Sequence, residues 1–126
     1  MKFGYTILYV ENVAHSIGFY ERAFGMKRKF LHESGDFGEL DTGATSLAFS
    51  SLRLMTELGK HPKAPDVDAP CFEIAFTTED VAVAVDCAVK AGAQLVQKPE
   101  SMPWGQTVAY VADPDGYLVE LCTPIG

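Results

Sequence analysis

Two glutamates, Glu73 and Glu120, lie in segments that otherwise read as strands, CFEIAFTT (71–78) and YLVELCT (117–123). If the two carboxylates stand partly desolvated and near one another, one tends to keep its proton or both seek a cation. The same physics describes a cation site and a general acid/base pair. The plain alternative is two solvent-facing strand residues. No other residues form a recognisable metal or nucleophile constellation. His15 falls on a helix, and His32 and His61 fall in or beside loops, none at ligand spacing. Cys71, Cys87 and Cys122 are odd in number and lack CxxC spacing, so reduced thiols are expected.

The elements that must position these groups are duplicated. Shifted by 68 positions, TILYVENVAHSIGFYERAFG (6–25) falls on IAFTTEDVAVAVDCAVKAGA (74–93), with Glu11/Glu79, Val13/Val81, Ala14/Ala82 and Ala23/Ala91 identical. A shift of 72 places TSLAFSS (45–51) on YLVELCT (117–123), so the second copy carries four extra residues, expected around the turn Asp113-Pro114-Asp115-Gly116. Each copy opens with a strand, 3–10 and 71–78. Asn12 and Asp80 then cap helices 13–24 and 81–91, the second ending at Gly92. Val13, Ile17, Tyr20 and Phe24 form one helix stripe, and Val81, Val85, Ala88 and Val89 form the other. Further strands are expected at 28–32, 37–42 and 45–54, and at 94–97, 106–112 and 117–122. The fold class is α+β, with two tandem βαβββ modules as curved, half-barrel mixed sheets and a helix packed outside each. Module 1 covers about 1–57 and module 2 about 71–126, joined by the proline-rich linker 58–70.

Alternation assigns the side chains to faces. Thr6, Leu8 and Val10 fit the helix side, as do Ile74, Phe76, Leu47, Phe49, Val119 and Leu121. One opposite face is then expected to collect Tyr5, Ile7, Tyr9, Ala48, Ser50, Glu73, Thr77, Leu118 and Glu120. Aromatics, small residues and two carboxylates make a pocket composition rather than a core.

Charge narrows the partners. The chain carries a net charge of −7, with −1 in residues 1–70 and −6 in residues 71–126, where Lys90 and Lys98 are the only basic residues. Such a surface cannot neutralise phosphates, so nucleic acid is a poor partner. No apolar run approaches the ~20 residues of a membrane span, and the N-terminus alternates like a strand. A cytoplasmic protein without membrane association is expected.

The paired modules, the segment VENVAHSIGFYERAFGM (10–26) and the segment PWGQTVAYVADPDGYLVEL (103–121) resemble the vicinal oxygen chelate superfamily. That group holds glyoxalases, extradiol dioxygenases, fosfomycin-modifying enzymes and bleomycin resistance proteins. Ser16, Phe19, Tyr20 and Gly25 carry an SxxFYxxxxG pattern, and the DPDG turn leads into a hydrophobic-Glu strand. The resemblance covers essentially the whole chain. It implies a metal held by one residue from each of four strands, here Tyr5, Ala48, Glu73 and Glu120. Only the two glutamates are hard oxygen ligands, so no cofactor is expected beyond a weak divalent metal. The departure points to the bleomycin-resistance-like members, which bind cationic or planar drugs without a catalytic metal in a groove shared by two subunits. A homodimer sequestering a small antibiotic-like molecule is the expectation. Trp104, Tyr5, Tyr9 and Tyr110 would stack on the ligand, with cation–π contact adding about 0.5–2 kcal/mol. The alternative is a lyase, isomerase or dioxygenase with Glu120 or Glu73 as base.

Overall fold

The computed structural model describes residues 1–125. By contact the chain divides into two compact units, Met1–Glu21 with Gly25–Ala64, and Arg22–Phe24 with the residues from Pro65 onward. The first carries β1 (Tyr5–Val10), α1 (Val13–Phe24, whose last turn groups with the second unit), β2 (Lys27–Leu31), β3 (Phe37–Asp41), β4 (Ser46–Ser51) and α2 (Leu52–Glu57). The second carries β5 (Ile74–Thr77), α3 (Val81–Ala91), β6 (Gln94–Ser101), β7 (Thr107–Ala112) and β8 (Leu118–Cys122).

Each unit holds an open four-stranded mixed sheet, ordered β1-β4-β3-β2 and β5-β8-β7-β6. The first strand runs parallel to the last of its module, and the remaining pairs are antiparallel. The registers express the duplication. Thr6↔Leu47 and Leu8↔Phe49 in the first sheet become Ile74↔Val119 and Phe76↔Leu121 in the second, the 68- and 72-residue offsets of the sequence. The extra residues lie mainly in β6, eight residues against five in β2, rather than at the DPDG turn. The register break after Gln97 has no counterpart in β2, whose one break between Arg28 and Phe30 matches the break before Gln97, and Pro99 is tolerated because β6 is an edge strand.

Both helices start and stop where capping chemistry requires. The Asn12 side chain accepts from His15 N, and Asp80 accepts from Val83 N. Gly25 (φ 67) and Gly92 (φ 119) close them in the left-handed region that other residues rarely adopt. In the first unit α1 lies on the sheet. Val13, Ile17 and Tyr20 are fully buried with Leu8, Leu40 and Phe49, and the Tyr20 and Phe49 rings meet at 5.3 Å. Each such side chain contributes roughly 1.5–3 kcal/mol by leaving water. In the second unit Val81, Val85 and Ala88 are buried over β6, β7 and β8, whereas Val89 is exposed and outside the stripe.

Strand bounds differ from expectation at two places. The segment 45–54 stops being strand at Ser51, because the Ser51 hydroxyl accepts from Leu54 N and starts α2, supported by the Arg53–Glu57 pair. The opening strands are shorter, so Glu73 stands just ahead of β5 rather than within it. No helix among the described residues is long and apolar enough to cross a membrane.

Candidate functional site

The second unit gathers the acidic residues. Tyr110 on β7 faces Glu120 on β8 across the ladder, and its hydroxyl donates to Glu120 Oε1 at 3.1 Å. Ala75 on β5 pairs with Glu120 from the other side, and Glu73 lies two residues before Ala75, hence on the same face. Leu118, Glu120 and Cys122 alternate along β8 onto that face. The electrostatics confirm one neighbourhood. Partial burial, then the charge of Glu120, raises the Glu73 carboxyl above its ordinary range. Burial, the hydrogen bond to Glu120 and the charges of Glu120 and Glu73 push the Tyr110 phenol up to about 12. The Cys122 thiol is also raised, by burial and by Glu120. It is an acceptor-rich patch with one phenol donor already committed. No ion pair engages Glu73 or Glu120 among the described residues.

Trp104 occupies the loop between β6 and β7. Its indole Nε1 donates to Gln106 Oε1 at 2.8 Å, and Gln106 Nε2 donates to Thr123 O at 2.8 Å. The loop borders a cleft of about 520 Å³ whose lining includes Glu79 and Thr123 but not Glu73, Tyr110, Leu118 or Glu120.

The first unit holds the remaining candidates. Tyr5, Ile7 and Tyr9 alternate on the open face of β1, paired with Ser46, Ala48 and Ser50. Tyr5 and Ile7 are exposed. Tyr9 is engaged by Lys60, whose Nζ lies 3.1 Å from the hydroxyl and 5.4 Å from the ring centroid. Ser50 is buried. By hydrogen bonding, Tyr5, Ile7, Tyr9, Ala48 and Ser50 belong to the first four-stranded sheet and Tyr110, Leu118 and Glu120 to the second, with Glu73 just ahead of β5.

A third carboxylate was missed in the sequence reading. Glu39 sits directly across the β3–β4 ladder from Ala48, is 6% exposed, and accepts from Lys29 Nζ at 3.1 Å. That hydrogen bond and the Glu39 charge raise the Lys29 ammonium above its usual range. Alternation within 37–42 held the signal, since Phe37, Glu39 and Asp41 fall on one face.

Of the four donor positions implied by the resemblance, Tyr5 offers a phenol, Glu73 and Glu120 offer carboxylates, and Ala48 offers a methyl group. No group of three or more His, Cys, Asp or Glu among the described residues is placed to hold a metal ion. This donor set does not fit a resident divalent ion, which wants about six oxygen ligands.

Comparison with known proteins agrees with the geometry of the two modules. The family model for the Glyoxalase/Bleomycin resistance protein/Dioxygenase superfamily matches residues 2–121. A lactoylglutathione lyase of Neisseria meningitidis serogroup A is 31% identical over 95% of this chain and 88% of its own length. The enzyme of that name from Escherichia coli O157:H7 is 29% identical over 96% of this chain and 91% of its own length. A glyoxalase-related enzyme from Fulvimarina pelagi superposes with a TM-score of 0.84 at 23% identity, covering 98% of this chain and 88% of that one. A glyoxalase/bleomycin resistance protein/dioxygenase family enzyme from Burkholderia phytofirmans PsJN gives a TM-score of 0.81 at 20% identity, covering 98% of both chains. The repeated parallel-then-antiparallel ladder and a family match spanning both copies lead to one assignment: the chain belongs to the glyoxalase/bleomycin resistance protein/dioxygenase superfamily.

Proposed function

We propose that the protein binds a small cationic or planar molecule on the open face of its second sheet and sequesters it without catalysis. The observation that carries this reading is the Glu73–Tyr110–Glu120 group. Two carboxylates share one face, each raises the cost of charging its surroundings, and no ion pair compensates them among the described residues. A cation brought to that face relieves the repulsion, and a flat one gains contact with the Tyr110 ring. The surplus of acidic groups in residues 71–126 favours approach of such a ligand. A homodimer is part of the proposal, supported by exposed apolar side chains on the first sheet, among them Tyr5 at 61% and Ile7 at 49% exposure. Velocity sedimentation is expected to give twice the chain mass, and a monomer at micromolar concentration removes this part.

The test uses ethidium as a planar aromatic cation, followed by its own fluorescence. Saturable binding is expected, weakened about tenfold or more in Glu73→Gln/Glu120→Gln, an effect of the size of two lost charge contacts. Unchanged affinity in that variant, with folding intact by circular dichroism, overturns the reading.

A second reading is a lyase, favoured by the 31% identical relative named lactoylglutathione lyase. Here the Glu73 and Glu120 carboxyl groups would pass a proton across one substrate face. Turnover of a glutathione hemithioacetal, assayed with and without added Ni²⁺ or Mn²⁺ and lost in Glu120→Gln, would establish it over sequestration.

A further inference from the structure

Glu73 precedes β5 and Glu79 follows it, so the two carboxylates mark opposite ends of that strand. Glu79 borders the cleft of about 520 Å³ formed with the Trp104 loop, the start of β7 and the residues after β8. That volume is in the range of small-molecule sites.

The polar groups of its walls are paired with one another. Gln106 uses its carboxamide oxygen to accept from Trp104 Nε1 and one of its two amide hydrogens to donate to Thr123 O, each at 2.8 Å. Thr107 N donates to Thr123 Oγ1 at 3.0 Å. The chain of bonds from Trp104 through Gln106 to Thr123 also holds the indole, which is 65% exposed, in a fixed place. With its N–H committed, the indole offers a ligand only its π surface. The Glu79 carboxylate is different: no ion pair or side-chain hydrogen bond engages it among the described residues. Glu79 is the only formally charged residue in the lining, which includes no lysine, arginine or histidine, and Pro124 and Ile125 add an apolar wall.

An anion finds no positive group here, and a neutral polar molecule gains no charge attraction from Glu79. A cation finds an unpaired carboxylate beside an aromatic ring, the two features that attract it most. We propose that this cleft is a second ligand site, taking a small organic ammonium ion whose charge is shared by Glu79 and the Trp104 ring and whose apolar body rests on Pro124 and Ile125. It stands apart from the Glu73–Tyr110–Glu120 face and does not depend on it.

Trp104 is the only tryptophan in the chain and reports on the cleft directly. Titration with benzyltrimethylammonium is expected to change Trp104 fluorescence saturably, while benzyl alcohol, which shares the ring and lacks the charge, does not saturate over the same range. Glu79→Gln should weaken the ammonium about fivefold, and Glu73→Gln/Glu120→Gln should leave it unchanged. Amide shifts by NMR should cluster at residues 79, 104–107, 123 and 125, a readout that also serves if a variant alters tryptophan emission. Equal binding of benzyl alcohol, indifference to Glu79→Gln, or loss only in Glu73→Gln/Glu120→Gln each overturns the second site. The last of these would leave the acidic face of the second sheet standing as the sole ammonium site.

Discussion

Tyr110 and Glu120 face each other on neighbouring strands, and the phenol of one is committed to the carboxylate of the other at 3.1 Å. The bond gives Glu120 a donor that survives in every state where Tyr110 is protonated. Glu73 has no such hydrogen bond among the described residues, and burial, then the charge of Glu120, raises its carboxyl.

The Tyr110 phenol should ionise late, near pH 12. Its folded pKa lies above the unfolded value of about 10, so its contribution to stability is complete below about pH 10 and fades as pH rises toward 12. Absorbance at 295 nm, followed from pH 9 upward, should lose this late step in Tyr110→Phe. The same variant should cost about 1 kcal/mol near neutrality, since Glu120 keeps its burial and loses its donor. A late step that persists in the variant belongs to another residue.

For Glu73 the folded pKa is likewise raised, so the protonated form is the one that folding favours. Its stabilising contribution is present below the ordinary glutamate range and is lost as pH rises through the folded value. Glu73→Gln should therefore raise Tm slightly at pH 7 and have no such effect at pH 3. A variant less stable at pH 7 would mean that Glu73 makes a favourable contact in its charged form.

Much of this was legible in the chain itself. The helix ranges 13–24 and 81–91 emerged intact because Asn12, Asp80 and Gly92 leave little freedom at the ends. Facing was readable too, since Phe49 and Leu121 alternate with polar or small neighbours. Ser51 defeated the reading of 45–54: a hydroxyl that looks like a strand residue is also an N-cap, and only the path of the chain decides between them. Periodicity fixes which face of a strand a residue occupies but says nothing about which ladder that strand joins. Glu39 was hidden by attention to the repeat, because its counterpart across the duplication is Tyr110, a residue of different chemistry.

Gly38 should not tolerate even alanine. A Cβ there would stand 2.6 Å from Ile17 Cδ1 and 3.0 Å from Phe30 O, so the end of the Ile17 side chain and the β2 backbone would have to give way. Gly38→Ala should cost about 1–3 kcal/mol by chemical denaturation. Ile17→Val removes the closest atom, and in the Gly38→Ala background it should recover part of that loss while remaining destabilising alone. Additive losses in the double variant would show that the conflict is with the Phe30 carbonyl instead.

The start of α2 should govern acid stability of the first unit. Asp36 accepts from the Ser51 hydroxyl at 2.8 Å and from Arg53 Nη2 at 2.6 and 2.7 Å. The Ser51 hydrogen bond first, with Arg53 assisting against partial burial, holds the Asp36 carboxyl below its usual range. A lowered folded pKa gives stability that is present above about pH 4 and disappears as pH falls through the depressed value. Asp36→Asn should therefore narrow the stability difference from wild type steadily as pH drops from 6 toward 2. Ser51→Ala should cost about 0.5–2 kcal/mol, since Ser51 also caps the helix by accepting from Leu54 N at 3.0 Å. It should also move the acid unfolding midpoint to higher pH, while Ser51→Thr keeps both effects small. Arg53 is 64% exposed at its side chain and competes with water, so Arg53→Ala should move the same midpoint less than Ser51→Ala does. The reverse order would assign control of Asp36 to the guanidinium and leave the hydroxyl as a cap alone.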